Sequence, residues 1–464
     1  MIELSVTEIA TIVGGRLIGD GAQLISGVVD TDSRLMEPGG LFFAKPGDVT
    51  DGHLFVSDAI AHGARAIVVE RELDVSVPQI VVADTVVALA DLARSVVAQV
   101  RESGNLTIIG ITGSNGKTTT KNLVAALCGR LGSTVAPRDS FNNEVGAPLT
   151  MLKLTLDTRY LVLELGASGI GHITRLTDIA APDIGVVLMV GLAHAGEFGG
   201  VEATVTAKSE LVRGLVPGAP VILNADDPRV VPMAELATGP VLWFGHTPAA
   251  TVRASHIVVS PAGTRFELEL PDGTAQEVRF AVIGEHHVMN ALAAASVGVL
   301  LGCDISTIVG ALESVERAER WRMEMHRVGG LTVINDAYNA SPDSMAAALK
   351  TLAQLANREH RSIAVLGEMS ELGEFSGPEQ DRLALLLVRL NITQLVVVGG
   401  GARRLHISAM NEGSWDGESQ FFETADDAYD YLVDFCEPGD IVLVKSSNSA
   451  GLRFLGDRLV EALA

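Results

Sequence analysis

Apolar residues gather in short unbroken blocks along most of the chain. These are ARAIVVE (64–70), PQIVVAD (78–84), LTIIGIT (106–112), RYLVLEL (159–165), DIGVVLMV (183–190), APVILNAD (219–226), SIAVLG (362–367), QLVVVGG (394–400) and DIVLVK (440–445). Blocks of this length without alternation predict strands buried on both faces, as in a parallel sheet covered by helices. Helical spacing fills the intervals at 85–103, 117–131, 286–302 and 343–355. The predicted class is α/β. VRASHIVV and RFELEL depart from this pattern: they alternate, as half-exposed antiparallel strands do. There is no fixed-period repeat and no low-complexity tract.

Three zones differ in character. Residues 1–83 are a Gly-rich α/β segment, and residues 84–318 open with a long helix and hold a Gly-rich loop. Residues 319–464 begin with WRMEMHRVGGLTVINDAYN and return to αβ alternation. The length of 464 residues agrees with three domains of about 100–200 residues each. A formal charge of −23 argues against a nucleic-acid partner, which needs a basic face. Cys128, Cys303 and Cys436 form no CxxC pair or disulfide framework, so a reducing compartment is expected. The N-terminal MIELSVTEIATIVGG has no basic-then-apolar signal, and no apolar run has the length of a membrane helix. The expectation is a cytoplasmic protein without membrane insertion.

The strongest chemical signal is Gly113-Ser114-Asn115-Gly116-Lys117-Thr118-Thr119-Thr120, between a strand and a helix. Such a loop turns backbone N–H groups toward a phosphate, and the helix N-terminus adds a positive dipole. Lys117 would reach the β- and γ-phosphates, and Thr118 would bind Mg²⁺. Ile111 stands where the strict pattern has Gly, so this is a GxxGKT variant. Glu164, at the end of YLVLE, is placed to be the metal-side acid, although a strand-end carboxylate also serves as a cap.

Other candidates carry equal or stronger ordinary readings. His194 follows a strand at the end where α/β sheets place ligands, but a lone histidine is more often a packing residue. Lys208 in TAKSE is on spacing alone a solvated helix lysine; beside metals, a lysine can instead form a carbamate with CO₂. Asn142 and Asn143 fit either a polar-substrate loop or an ordinary turn. His286 and His287 open a helix with Asn290 one turn on, which fits capping or a polar contact to a nucleotide better than zinc. Asp336-Ala337-Tyr338-Asn339 follows a strand, where Asp can accept from a ribose and Tyr can pack on a base, or all can be turn chemistry. Gly399-Gly400-Gly401 is followed by Arg404 at the sixth position, so GxGxxG fails and NAD is disfavoured.

Taken together, the motifs resemble the Mur ligase family, in its MurF-type branch that joins D-alanyl-D-alanine to UDP-N-acetylmuramoyl-tripeptide. They are DTDSRLMEPGGLFFAKPGDVTDGHLFV (30–56), GITGSNGKTTTK (110–121), NNEVGAPLTML (142–152), ELGASGIGHI (164–173), AHAGEFGG (193–200), NADD (224–227), NDAYNASPDSM (335–345) and VLGEMSELGE (365–374). The resemblance runs nearly end to end. It implies a UDP-substrate domain, a central P-loop ATPase and a C-terminal Rossmann-like domain, acting in peptidoglycan biosynthesis with ATP and Mg²⁺, as a monomer.

The resemblance also implies roles. ATP would meet Thr112, Gly113, Ser114, Asn115, Gly116, Lys117, Thr118 and Thr119 on the loop, and Asn290, Arg322, Asp336 and Asn339 facing it. Thr118 and Glu164 would hold one Mg²⁺, with His194 and a carbamylated Lys208 at a second. The catalytic set would be Lys117, His194 and Lys208. Ser33, Arg34, Lys45, Asp51 and His53, with Asn142 and Asn143, would meet the UDP-substrate. The chain departs from the family at Ala195, Gly196, Ser341, Ser446 and Asn448. Two rivals remain at this point: another amide ligase of the same superfamily, and a P-loop nucleotide switch.

Overall fold

The computed structural model describes residues 1–47, 50–138, 140–192, 196, 199–315, 320–357, 359–412 and 418–462. The predicted apolar blocks become the central strands of three sheets. In the first, strands run in the order Arg16–Ile18, Gln79–Val81, Ala64–Val69, Gly40–Phe43 and Val29–Asp30, parallel except for the first pair. Gly40–Phe43 is buried throughout but was too short to stand out beside Pro38 and Gly39.

The second sheet has nine strands. Thr107–Thr112 pairs in parallel with Tyr160–Glu164 on one side and Ile184–Val187 on the other. The Gly-rich loop, Glu164 and the segment after Val187 therefore leave the sheet side by side at its C-terminal edge, where open α/β sheets bind ligands. The two alternating sections form the antiparallel strands Val252–Ser260 and Gly263–Glu269 at one edge, and a third strand, Ala275–Phe280, which the sequence reading did not mark, pairs beyond them.

In the third sheet the order is Glu324–Val328, Leu331–Asn335, Ile441–Lys445, Ser362–Leu366, Gln394–Val398 and Ser419–Phe422. Only the first pair is antiparallel. Asn335 lies opposite Val444, so Asp336 and Lys445 emerge together.

The helix Thr85–Glu102 joins the first two sheets. Asp84 caps it, accepting from the backbone N–H of Val86 at 2.7 Å and Val87 at 3.0 Å. Leu89, Leu92, Val96 and Val100 recur at helical spacing and are buried. That face packs on helices Val6–Ile12, Gly146–Met151 and His172–Ile179, sharing one core with both sheets. A buried Leu or Val stabilises such a core by about 1.5–3 kcal/mol. The junction expected at 318/319 falls within 316–319, outside the described residues. Among the described residues no helix is long and apolar enough to cross a membrane.

Candidate active site

The Gly-rich loop turns into the helix Lys117–Leu131 through Gly116, whose φ of +83° is left-handed. That φ favours glycine, and a Cβ would also stand 2.2 Å from Asn290 Oδ1, so the Asn290 side chain would have to shift. Lys117 folds back over the loop and donates from Nζ to the carbonyls of Gly113 at 2.8 Å and Ser114 at 3.4 Å. Burial lowers its pKa, opposed by Glu164 and reinforced by Arg322.

A cavity of about 470 Å³ opens over this loop. Glu164 borders it and is 1% exposed. Its Oε1 accepts from Asn142 Nδ2 at 2.7 Å, whereas its buried Oε2 has no partner among the described residues. Two other buried polar atoms around the cavity share that condition, Asn115 Nδ2 and His287 Nε2. An unpaired buried polar atom costs about 1–3 kcal/mol. Three around one cavity point to a polar ligand that satisfies them.

The C-terminal sheet supplies the opposite wall. Arg322 lies over the Tyr338 ring at 4.0 Å and donates from Nη2 to Thr118 Oγ1 at 3.2 Å and Ser140 Oγ at 3.0 Å. Ser341 caps the helix Pro342–Ala356 and donates to Asn115 Oδ1 at 3.1 Å. Asp336 pairs with Lys445 at 2.6 Å, and Lys445 also donates to the carbonyl of Asn339 at 3.0 Å. Asn339 Oδ1 accepts from Ala340 N–H at 2.9 Å. Outside the cavity, Leu192 N–H meets Asp343 at 3.2 Å and Gly196 N–H meets the Glu371 carbonyl at 3.0 Å, further joining the two domains.

The resemblance-based residues are not all brought together here. Ser114, Asn115, Gly116, Lys117, Thr118, Thr119, Asn142, Asn143, Glu164, Asn290, Arg322, Asp336 and Asn339 line the cavity. Thr112 does not: it is fully buried behind the loop, and its hydroxyl donates to the Leu165 carbonyl at 2.8 Å, a strand clasp rather than a nucleotide contact. Gly113 also lies behind the lining, where a Cβ would stand 2.9 Å from the Leu188 side chain. Asn143 spends its Oδ1 on the N–H groups of Val145 at 3.2 Å and Gly146 at 2.8 Å, which is the turn reading. His194 lies outside the described residues. Lys208 is 2% exposed, which overturns the solvated-lysine reading. Burial and then Lys117 push its pKa well below the ordinary lysine value, against Glu210 and Glu164.

The five residues expected at the uridine nucleotide lie on the first domain, away from this cavity. Ser33 donates to Asp58 at 2.6 Å, and Arg34 pairs with Asp32 at 2.6 Å. Lys45 is half-buried and has no ion pair among the described residues. Asp51 binds Arg71 at 2.8 Å and His53 Nδ1 at 2.6 Å. His53 Nε2 accepts from Glu70 N–H at 2.9 Å, so both ring nitrogens brace the fold and neither is left for a nucleotide.

Sequence reasoning passed over Lys445 and Ser140. Lys445 ends a wholly apolar strand and is 3% exposed, and a charge closing a buried run was the available signal. Ser140 carried no signal, because only the folded chain sets it between Thr118 and Arg322.

The rings of His286 and His287 lie 4.1 Å apart on the cavity wall. Burial lowers the His286 pKa from 6.5 to about 4, with Asp336 opposing and Lys445 adding. Below pH 6.5 the unfolded chain therefore takes up a proton that the folded chain refuses. Stability falls as pH drops from about 6.5 toward 4, by about 1.4 kcal/mol per unit. Denaturant melts at pH 7 and pH 5 should show a smaller loss for His286→Gln than for the unmodified protein, by about 2 kcal/mol. Equal losses in the two proteins would exclude His286 as the group responsible.

Comparison with known proteins gives three matching domains: Mur ligase family, catalytic domain, over residues 27–102; Mur ligase middle domain over 111–298; and Mur ligase, glutamate ligase domain, over 321–448. The UDP-N-acetylmuramoyl-tripeptide–D-alanyl-D-alanine ligase of Mycobacterium tuberculosis is 43% identical, covering 99% of this chain and 98% of its own length. The crystal structure of MurF from Acinetobacter baumannii is 31% identical, with a TM-score of 0.89 over 99% of each chain. MurF from Thermotoga maritima in complex with ADP is 26% identical, with a TM-score of 0.82 over 94% of this chain and 98% of its own.

Proposed function

The chain belongs to the Mur ligase family, and from that premise we propose that it joins D-alanyl-D-alanine to UDP-N-acetylmuramoyl-tripeptide at the expense of ATP. The product is the pentapeptide precursor of peptidoglycan. The observation that carries the reading is the cavity between the Gly-rich loop and the C-terminal sheet, with its three unpaired buried polar atoms. We place the domain limits at 83/84 and 318/319, and the protein in the cytoplasm as a monomer.

A carboxylate is a poor electrophile at neutral pH. In the proposed reaction a carboxylate oxygen of the tripeptide attacks the γ-phosphorus of ATP, and the bond to the bridging oxygen breaks, releasing ADP. The amine of the dipeptide then attacks the acyl phosphate carbonyl. The carbon–oxygen bond breaks, phosphate leaves, and the nitrogen loses a proton as the amide forms.

The chain's own groups fit the demands of these steps. Lys117 and the N–H groups of its loop face the phosphates, and Arg322 adds positive charge from the opposite domain. Asn290 and Asp336 are the proposed contacts to the rest of the nucleotide. The orphaned Glu164 Oε2 and the Thr118 hydroxyl are oxygen donors of the kind magnesium takes. They are the residues that would hold it, and its chemistry is to offset charge on the phosphate oxygens. His194 and Lys208, as its carbamate, are proposed for a second ion. The contacts Arg322–Thr118 and Ser341–Asn115 close the domains over the loop, excluding water from an acyl phosphate.

The test is an ADP-release assay with ATP, Mg²⁺ and UDP-N-acetylmuramoyl-tripeptide, adding D-alanyl-D-alanine or single amino acids, with product mass as the second readout. ADP release and a mass gain are expected with the dipeptide. Addition of a single amino acid to the dipeptide-stage precursor would move the chain to another branch of the family. Slow hydrolysis indifferent to both peptides would leave a nucleotide switch.

A further inference from the structure

We propose that Asp457, on the helix Leu452–Ala462 and outside the cavity, is a positioning residue that aims Arg322 and Asp336 at the nucleotide. The inference rests on the proposed ATP-dependent reaction, since it assigns those two residues to the nucleotide.

Arg322 is held in an unusual stretch of backbone. Its neighbours Trp321 and Met323 both have left-handed φ, +61° and +51°. L-residues with a Cβ avoid this region, and it persists where surrounding contacts over-determine it. Four contacts do so here. Trp321 N–H donates to Glu324 Oε2 at 2.8 Å, and the Trp321 carbonyl accepts from Tyr338 N–H at 3.0 Å. Met323 N–H donates to Asp336 Oδ1 at 3.0 Å. The fourth is the indole: Trp321 Nε1 donates to both oxygens of Asp457 at 3.1 Å.

The same carboxylate reaches the other nucleotide-facing residue. Asp457 Oδ1 accepts from Asn335 Nδ2 at 3.1 Å. Asn335 is fully buried and immediately precedes Asp336. Asp457 thus binds the sequence neighbour of Arg322 and the sequence neighbour of Asp336. Its third contact, Arg320 at 3.0 Å, is an exposed ion pair and contributes little. The indole is further confined by Arg320 and Arg453 at 4.5 and 5.4 Å from its ring and by Phe454 edge-on at 6.1 Å. A small displacement of a positioned cation costs rate steeply, so a residue that never touches substrate can govern turnover through Arg322.

The experiment uses the full chain and compares Asp457→Leu, Asp457→Asn, Trp321→Phe and Arg322→Ala, with each of the first and third also combined with Arg322→Ala. Steady-state kcat and KM are read together with ADP affinity by calorimetry. Asp457→Leu should lower kcat about tenfold or more. Asp457→Asn should recover most of that loss, because an amide oxygen at the Oδ1 position still accepts from Trp321 and Asn335. In the Arg322→Ala background Trp321→Phe should cost nothing further, and Asp457→Leu should cost less than in the unmodified enzyme, the remainder coming through Asn335 and Asp336. A folded Asp457→Leu enzyme with normal kcat and ADP affinity overturns the proposal, as does an equal proportional loss with and without Arg322. If Asp457→Leu does not fold, Trp321→Phe decides, since it removes the indole N–H that meets Asp457 while keeping an aromatic ring at 321: a loss of kcat or ADP affinity confined to the Arg322 background supports positioning, and no loss overturns it. Failure of the unmodified enzyme to require both peptides defeats the proposed function instead, and the ADP affinities still read the coupling to Arg322.

Discussion

Replacing Lys117 with alanine should lower kcat by about 10²–10³-fold while the protein still folds. The two halves of this expectation have separate reasons. The loss of rate follows from position: Nζ stands over the Gly-rich loop, bonded to the carbonyls of Gly113 and Ser114, where the transferring phosphoryl group would rest. A preorganised cation at developing charge acts in the transition state, so removing it falls mainly on kcat. The retained fold follows from the partners. Both are carbonyls of the same loop, on a cavity that water enters once the side chain is gone, and the helix Lys117–Leu131 is anchored by Leu123, Val124 and Leu127. Steady-state kinetics with a thermal melt of the same preparation check both halves. A folded variant with near-normal kcat would mean that phosphate is held elsewhere.

Lys208→Ala should also lose activity by orders of magnitude, and a small carboxylic acid in the medium should restore part of it. Lys208 is on the helix Val201–Arg213, buried close enough to Lys117, Glu210 and Glu164 to feel their charges. Burial and Lys117 favour its neutral amine, and only a neutral amine condenses with CO₂. In the proposed carbamate its nitrogen lone pair would bond to the carbon of CO₂ and one proton would leave, converting a potential cation into an anionic oxygen donor. Alanine leaves room for a carboxylate to occupy that place. Lys208→Arg should stay inactive with or without added acid, because arginine remains charged and fills the space. Normal activity of the arginine variant in CO₂-depleted buffer would make Lys208 an ordinary cationic residue.

Much of this site was legible because its residues are local in sequence. The loop from Gly113 to Thr119 announces itself by spacing, and the helix expected over 117–131 is found at Lys117–Leu131. The parallel strands were readable because burial on both faces leaves an unbroken apolar signature. The motif resemblance added the facing residues Asn290, Arg322, Asp336 and Asn339, which line the same cavity although they are far apart in the chain.

Other assignments needed the folded chain. Thr112 and His53 belong to motifs, yet their polar atoms are spent on Leu165, Asp51 and Glu70. A motif records which residue type stands at a position, not which partner its side chain finds. Lys208 reverses the reading from spacing because its burial comes from elements distant in sequence. Lys445 meets Asp336 only because strand Ile441–Lys445 inserts beside Leu331–Asn335, a pairing across more than 100 residues of intervening chain. The sequence by itself determined the α/β class, the phosphate loop and the helices that follow it, through hydrophobic periodicity and local backbone chemistry. The tertiary structure alone decided which polar atoms remain unpaired around the cavity and which neighbours aim Arg322, because burial and hydrogen bonding are settled between segments that the chain order keeps apart.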